Sequence, residues 1–598
     1  MLLSRDVGPD VLVMGMAPGA NDVAAPTEIT GHHWAAVGVM VADRTVELVA
    51  AVRNGGNEPV VRPTFRLGSR WGTSTRMRRT LVAALSVGLG VAVRDLLQKD
   101  HAIQRNFPVL GHVRYAIEAV GPELRQYIVA GNNEERPFTR DQRRWVYTSA
   151  KKQNNYFGFG TDNDIEYTAG YAVIKHRTFG RAVPPSGPTA GHEVRMPSAK
   201  VLGGPRMRRR AFRPPSVVNI SAMSFGSLSG AAVEALNRGA RLAECLQNTG
   251  EGGLSDHHRM GGDLVFQIGT SYFGCRDEAG RFDLERLKEV VAGAPVRAIE
   301  IKLSQGAKPG LGGLLPGAKV SAEIAGVRGI TAGRDCVSPS RHAEFSDADS
   351  LLDWVEMLAA ETGLPIGIKS AVGDLGFWDE LTSLMAQDPD RAVDFVTVDG
   401  GEGGTGAAPL IFTDTVSLPF QVGFSRVYKA FAEKDLHERV TFIGAGKLGL
   451  PDNAVVAFAL GCDMINVGRE AMLAIGCVQA QKCHTDTCPT GVATQNAWLT
   501  RGLDPVRKAD RCSNYIMTLR RDLMRVAEAC GVEHPGLIAT DSVEILDGRT
   551  SATALDQVYG YARGWGLPSA EDRRTIVELM TATAPQGGSA PPSDTAAG

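Results

Sequence analysis

The sequence predicts a (β/α)8 barrel of the TIM type. Eight short β-rich runs alternate with helical stretches between residues 217 and 469, which matches the usual size of such a barrel. The predicted strands are VVNISAMS (217–224), CLQNTG (245–250), LVFQIG (264–269), AIEIKLS (298–304), PIGIKSA (365–371), FVTVDGG (395–401), TFIGAG (441–446) and MINVGR (464–469).

Helical patterns fill most of the intervals between these strands. They cover 228–243, 283–291, 349–361 and 452–460. In the third of them, five apolar residues fall on one helical face, namely Leu351, Leu352, Val355, Leu358 and Ala359. A doubly wound sheet is the alternative, but no GxGxxG opens the first helix after the first strand.

The N-terminal region precedes the predicted barrel domain, which spans 146–535. Residues 1–75 remain unassigned, although VGVMVADRTVELVAAV (37–52) suggests a strand and a helix. Residues 76–145 are predicted to be a helical leader, with helical periodicity in 113–129. A further helical pattern covers 139–152. We therefore expect a mostly helical extension.

One apolar stretch in the leader raises the question of whether the protein associates with a membrane. TLVAALSVGLGVAV (80–93) follows Arg76, Arg78 and Arg79 and is closed by Arg94. A membrane-spanning helix needs about 20 apolar residues, and this stretch is shorter. We expect a cytoplasmic protein with a buried helix at 80–93; membrane association through this helix is the alternative.

The chain after the barrel domain is predicted to be helical over 536–580. The last segment, 581–598, is rich in Pro, Gly and Ser and is predicted to be a disordered tail.

Composition narrows the class of protein. The net charge is −2, so no global basic field indicates nucleic acid as a partner. The nine cysteines do not resemble a secreted disulfide framework and indicate a reducing cytoplasm. Three of them are clustered, and the other six are scattered.

Glycine-rich loops follow the predicted strands six to eight. GAGKLG (444–449) follows strand seven and GRE (468–470) ends strand eight, where barrels often hold a phosphate. Backbone N–H groups in such loops suit an anion, and Lys447 and Arg469 could add positive charge. Plain tight turns are the alternative, for these loops and for GGEGGTGA (400–407).

Strands two, four and five end in charged residues. Lys302, Gln305 and Lys308 lie three residues apart in KLSQGAKPG (302–310), and Lys369 ends strand five. Buried lysines are rare unless paired, so these residues are predicted to bind anionic groups, with exposed loop lysines as the alternative. Glu251, after strand two, is a candidate acid, base or partner.

Three cysteines follow strand eight within twelve residues: Cys477, Cys483 and Cys488. Fe–S clusters are held by Cys thiolates, and three thiolates suit a cube that lacks one iron. Zinc sites usually contain CxxC pairs, which are missing here. Three unrelated buried cysteines are the alternative.

The chain contains eight collinear motifs: SAMSFGSLS (221–229), NTGEGG (248–253), EIKLSQGAKPGLGG (300–313), LPGAKV (315–320), SPSRH (338–342), GGEGGTGAAPL (400–410), GAGKLG and CxxxxxCHTxxCPTGVATQ. Together they strongly resemble the FMN-binding synthase domain of glutamate synthases, over roughly 145–530. AIQRNFPVLGHVRY (102–115) looks like the leader of stand-alone proteins of this family, which often carry an N-terminal hydrophobic helix.

The resemblance implies cofactors and a substrate. It implies a 3Fe-4S cluster on Cys477, Cys483 and Cys488. It implies FMN held by Met223, Ser224, Gln267, Lys369, Gly403, Gly404, Thr405, Gly444, Gly446, Lys447, Gly468 and Arg469. It implies a 2-oxoglutarate pocket formed by Glu251, Lys302, Gln305, Lys308 and Arg328, and reduction of 2-iminoglutarate to L-glutamate.

Departures from the family pattern leave the partners open. No cysteine precedes Cys245, so the glutaminase nucleophile is missing, and no dinucleotide fingerprint is visible. We expect ammonia from outside the chain or from a separate glutaminase subunit, and electrons from ferredoxin or an NAD(P)H-oxidising subunit. The alternatives are an enzyme for another imine or keto acid, such as an N-methylglutamate synthase-like enzyme, and a non-catalytic redox relay.

Overall fold

A computed structural model of the chain describes the strands within residues 12–66, residues 87–88 and 90–121, and residues 135–181 and 195–583. The chain divides into two compact units, Met1–Val91 and Ala92–Gly598. The predicted barrel lies in the second unit.

Eight parallel strands close into a barrel, in the order expected from the sequence. They are β1 (Val218–Ile220), β2 (Gln247–Asn248), β3 (Leu264–Ile268), β4 (Val296–Lys302), β5 (Ile366–Ser370), β6 (Phe395–Asp399), β7 (Thr441–Ala445) and β8 (Met464–Val467). β8 pairs with β1 through Ile465 and Val218, which closes the ring. The (β/α)8 prediction is confirmed, and the doubly wound alternative is wrong.

Helices follow the strands. They are Gly230–Leu242, Leu284–Ala292, Ala322–Arg328, Ala348–Thr362, Gly376–Gln387, Leu410–Thr415, Phe420–Ala432, Pro451–Ala459, Arg469–Ile475, Ala497–Thr500 and Pro505–Ala529. Local sequence starts several of them: the side chains of Ser229, Asp283 and Asp347 accept hydrogen bonds from N–H groups in the first turn of the helix that follows. The predicted apolar face of Ala348–Thr362 is buried against the barrel.

The N-terminal unit differs from the prediction. Residues 12–66 contain a four-stranded sheet of Leu12–Met14, Trp34–Ala42, Thr45–Arg53 and Phe65–Arg66. The expected helix within 37–52 is therefore wrong, since Trp34–Ala42 and Thr45–Arg53 form an antiparallel pair. Valine and threonine in this stretch favour strands once a partner strand is present, so the extension is not mostly helical here.

The leader is helical where it is described. The helices are Ala102–Asn106, Gly111–Ala119 and Arg140–Ala150, and residues 90–97 are also helical. Most of 80–89 and the second half of the helix predicted at 113–129 lie outside the described residues. In the described part of the chain, no helix is long and apolar enough to cross a membrane.

The region 536–580 is only partly helical. The helices Leu555–Tyr559 and Ala570–Thr583 are present, but Val543–Leu546 and Ala552–Ala554 form a three-stranded sheet with Ala172–Ile174. The prediction of a helical segment is therefore wrong over 543–554. One partner of Val543–Leu546 is the nearby strand Ala552–Ala554, and the other, Ala172–Ile174, lies far away in sequence, where a local pattern does not reveal it. The proposed tail lies outside the described residues from 584 onward.

Candidate active site

A buried ion pair lies where β2 and β4 end. Lys302 is the last residue of β4, and Glu251 lies in the loop after β2. The Nζ of Lys302 is 2.7 Å from Oε1 of Glu251, and the two side chains are 8% and 19% exposed. The two predicted site residues therefore meet at the C-terminal face of the barrel, where strand ends converge.

Three cations surround this carboxylate. Burial by itself would raise the pKa of Glu251, but Lys302, Lys308 and Arg328 outweigh it and lower that pKa from its usual 4.5. Lys308 is 4% exposed. Its pKa is lowered from 10.5 by burial and by Lys302, with Glu251 acting in the opposite direction. Three positive charges against one negative charge leave an excess of two positive charges.

Arg328 reaches the site from the last residue of the helix Ala322–Arg328. Its Nη2 donates to the carbonyl of Phe225 at 3.1 Å and to Oγ of Ser224 at 3.4 Å. A Cβ on Gly252 would come within 2.9 Å of the same nitrogen, so the loop after β2 approaches Arg328 closely. Its Nε is buried and has no hydrogen-bond partner among the described residues, which leaves one donor for a ligand.

Gln305 lies half-buried in the loop after β4, where its carbonyl accepts a hydrogen bond from the N–H of Lys308 at 3.2 Å.

The SPSRH segment lies beside the pocket. A Cβ on Gly313 would lie 2.9 Å from Oε1 of Glu251 and 3.2 Å from Oγ of Ser338. Ser338, the first residue of this segment, therefore lies close to the pocket carboxylate of Glu251.

Two of the residues predicted to hold FMN, Lys369 and Gln267, have charged protein partners. Lys369 Nζ lies 3.3 Å from Oδ2 of Asp399, and although burial opposes it, Asp399 and Glu300 raise the pKa of Lys369. Gln267 donates to Glu300 at 2.6 Å inside the barrel. Asp399 and Glu300 were not predicted to belong to the site. Both are buried acids on barrel strands, and an acidic residue within a predicted strand was the sequence feature that could have identified them. Met223 and Ser224 are half-buried just after β1.

Two cations lie close together after β7 and β8. Lys447 Nζ and the Arg469 guanidinium carbon lie 5.3 Å and 5.1 Å from the ring centroid of Phe138. Burial lowers the pKa of both groups, and Arg469 lowers that of Lys447 further. Bringing two poorly hydrated cations together is unfavourable without an anion. Phe138, from the segment before the barrel, was not predicted.

In the glycine-rich loops, the backbone passes close to these two cations. Gly446 has φ +121, and a Cβ there would lie 3.0 Å from the N of Gly400. A Cβ on Gly404 would lie 2.6 Å from the side chain of Arg469, which donates to the carbonyl of Glu402. Gly403 and Thr405 lie in the loop after β6, Gly444 lies in β7 just before Gly446, and Gly468 precedes Arg469. The predicted phosphate residues of β6, β7 and β8 thus lie at one end of the barrel.

The three cysteines lie in one loop after the helix Arg469–Ile475. Burial, with smaller contributions from Cys488 and Cys483, raises the pKa of Cys477 to about 12. The carbonyl of Cys477 accepts from Tyr147 Oη at 2.9 Å. Among the described residues, no group of three or more His, Cys, Asp or Glu side chains converges on a metal-ion position.

The family comparison extends over most of the barrel. Residues 207–533 match the family model described as the conserved region in glutamate synthase. The chain is 37% identical over 473 residues to the glutamate synthase large subunit-like protein YerD of Bacillus subtilis, covering 74% of this chain and 90% of that protein.

More distant relatives match over a smaller part. The archaeal glutamate synthase [NADPH] of Methanocaldococcus jannaschii is 32% identical over 324 residues, covering 53% of this chain and 59% of that protein. A glutamate synthase large subunit-like protein of Rhizobium meliloti is 31% identical over 368 residues, covering 58% and 78%. On the family match and the Bacillus subtilis relative, this chain belongs to the glutamate synthase family of oxidoreductase enzymes.

Proposed function

We propose that this chain is an FMN and iron–sulfur oxidoreductase that reduces 2-iminoglutarate, formed from 2-oxoglutarate and ammonia, to L-glutamate. The observation that carries this proposal is the buried excess of two positive charges around Glu251, from Lys302, Lys308 and Arg328. 2-Oxoglutarate carries two carboxylates, and Arg and Lys bind carboxylates through charge-assisted hydrogen bonds.

The pocket residues have distinct tasks in this reaction. Arg328, with its unpartnered Nε, and Lys308, whose charge is poorly compensated, hold the carboxylates. The low pKa of Glu251 keeps its carboxylate ionised. An ionised carboxylate beside the imine nitrogen favours the protonated imine, whose carbon is more electrophilic. Lys302 holds Glu251 in place through the 2.7 Å contact.

The glycine loops and the cation pair fit the phosphate of FMN. Lys447 and Arg469 lie near one another at the ends of β7 and β8, and the helix Pro451–Ala459 begins just after the Gly444–Gly449 loop. A phosphate would compensate both cations. When bound, the flavin supplies the hydride that reduces the imine carbon.

Arg469→Ala should release FMN while leaving the dicarboxylate pocket intact, because the two sites use different strand ends. We expect the Kd of FMN to rise at least about tenfold, since a charged hydrogen bond contributes about 1.5–3 kcal/mol, and FMN occupancy after gel filtration to fall. Absorbance of the protein-bound flavin measures occupancy. Arg439→Ala, an exposed arginine before β7, is the matched control. Full FMN retention in Arg469→Ala would contradict this phosphate site.

Cys477, Cys483 and Cys488 supply a donor set that fits a 3Fe-4S cluster, because three soft thiols lie in one loop and no fourth cysteine belongs to it. When bound, the cluster passes single electrons toward the flavin. We propose an external electron donor, such as ferredoxin or an NAD(P)H-oxidising subunit. Ammonia would be free or delivered by a separate glutaminase.

A single anaerobic experiment tests the proposed function. The purified chain is photoreduced, and 2-oxoglutarate and ammonium are then added together and separately. We expect flavin reoxidation and L-glutamate only when both are present. Reoxidation by another keto acid or amine, but not by these two, would favour the other-substrate alternative. A flavin that no keto acid and amine reoxidise would favour the redox relay.

Substrate binding should depend on pH through Lys308. Because burial and Lys302 lower the pKa of Lys308 from 10.5, its charge is lost at a lower pH than that of an ordinary lysine. The Kd of 2-oxoglutarate should therefore rise as pH increases toward that lowered pKa. Lys308→Arg should shift the rise to higher pH, because a guanidinium stays protonated. Identical pH profiles for the two proteins would exclude Lys308 as the titrating group.

A further inference from the structure

Lys319 joins two segments that are far apart in sequence. It is 2% exposed, and its Nζ donates to the carbonyl of Ser227 at 2.6 Å and to the carbonyl of Cys483 at 3.3 Å. Burial lowers the pKa of Lys319, while Asp486, Cys483 and Cys488 act in the opposite direction. Asp486, which contributes most to this opposing effect, belongs to the cysteine loop.

Ser227 lies in the turn 224–229 after β1, and this turn is bonded to the cysteine segment at further points. Gln495 Nε2 donates to the carbonyls of Gly226 at 3.2 Å and Leu228 at 2.9 Å. Ser229 donates from its Oγ to the carbonyl of Gly491 at 2.7 Å. The turn is thus held against the chain that follows the cysteines.

The same turn supports Arg328. Ser224 Oγ and the carbonyl of Phe225 accept from its Nη2, and Ser224 Oγ lies 3.0 Å from Ser227 Oγ. A Cβ on Gly226 would lie 3.1 Å from Nη2, so the backbone of the turn is close to the guanidinium. A displacement of Ser227 would therefore change the position of the guanidinium in the pocket.

We propose that Lys319 is a positioning residue that links the cysteine loop 477–488 to the substrate pocket. Its ammonium holds the turn 224–229 where Ser224 and Phe225 orient Arg328, and the carbonyl of Cys483 in the cysteine loop accepts a hydrogen bond from the same ammonium. An ordered cysteine loop thereby favours tight binding of the dicarboxylate. By thermodynamic reciprocity, dicarboxylate binding favours the ordered loop. The link to the dicarboxylate rests on the proposed function, whereas the link between loop and turn does not.

Hydrogen exchange of the anaerobically purified full chain, without added substrate, tests the link between loop and turn. Lys319→Met should raise amide exchange in both 224–229 and 477–488 by about tenfold or more, because a charge-assisted bridge is lost. Lys319→Gln, which keeps a donor but no charge, should give a smaller increase in both segments. Lys482→Met removes an exposed charge from the same loop and should change neither.

Exchange that rises in only one segment, or in neither, would overturn the proposal. If Lys319→Met does not fold, the comparison of Lys319→Gln with Lys482→Met decides the same question.

A second measurement examines the dicarboxylate. Lys319→Met should raise the KM for 2-oxoglutarate about tenfold with a smaller change in kcat, since Lys319 does not touch the substrate. An unchanged KM in a variant whose exchange has risen would overturn the link to Arg328. Failure of the wild-type chain to bind 2-oxoglutarate would instead contradict the proposed function, and the exchange result would still decide the link between loop and turn.

Discussion

Arg328→Met is expected to raise the Kd of 2-oxoglutarate by about 10- to 150-fold. The loss of a charge-assisted hydrogen bond costs about 1.5–3 kcal/mol, which corresponds to that range. Arg328 is 6% exposed and has one buried donor without a partner among the described residues, which a bound carboxylate would satisfy. Methionine keeps much of the side-chain volume, which limits repacking.

The measurement is a titration of FMN-loaded protein with 2-oxoglutarate, followed by flavin absorbance. Arg334→Met is the control. It removes an exposed arginine from the same segment between β4 and β5 and should bind 2-oxoglutarate normally. FMN occupancy should remain near that of the wild type, because Lys447 and Arg469, which are proposed to hold the phosphate, follow β7 and β8, whereas Arg328 follows β4. Normal 2-oxoglutarate binding by Arg328→Met would show that this arginine is not part of the dicarboxylate site.

Cys483→Ser is expected to lose nearly all bound iron and acid-labile sulfide. A serine hydroxyl is a poor ligand for an Fe–S cluster compared with a thiolate, and with three ligands there is no spare donor in the loop. The barrel should remain folded, because Cys483 is only half-buried and lies outside every strand. Iron and sulfide analysis measures the loss of the cluster, and circular dichroism measures whether the barrel remains folded.

Cys530→Ser provides the matched control. Cys530 is buried but lies at the end of the helix Pro505–Ala529, outside the cysteine loop. The Cys530→Ser variant should keep its iron. Iron retained in Cys483→Ser, or zinc in place of iron in the wild-type chain, would contradict the cluster assignment.

The sequence by itself determined the barrel. Seven of the eight strands contain apolar or β-branched residues, β2 (Gln247–Asn248) being polar, and every one overlaps the run in which it was predicted. The order of the strands follows from the chain, because each parallel crossover places the next strand beside the last. Residues at strand ends then converge on one face, which is why Glu251 and Lys302 could be predicted to meet.

Only the tertiary structure decided which distant residues complete the site. Phe138 beneath Lys447 and Arg469, Asp399 beside Lys369, and Lys319 between Ser227 and Cys483 all contact partners far away in sequence. The sheet that joins Ala172–Ile174 to Val543–Leu546 has the same origin. A local sequence pattern shows which face of a helix or strand is apolar. The partner of a buried charge or of an edge strand depends instead on how distant segments pack against each other, and this packing depends on the whole chain.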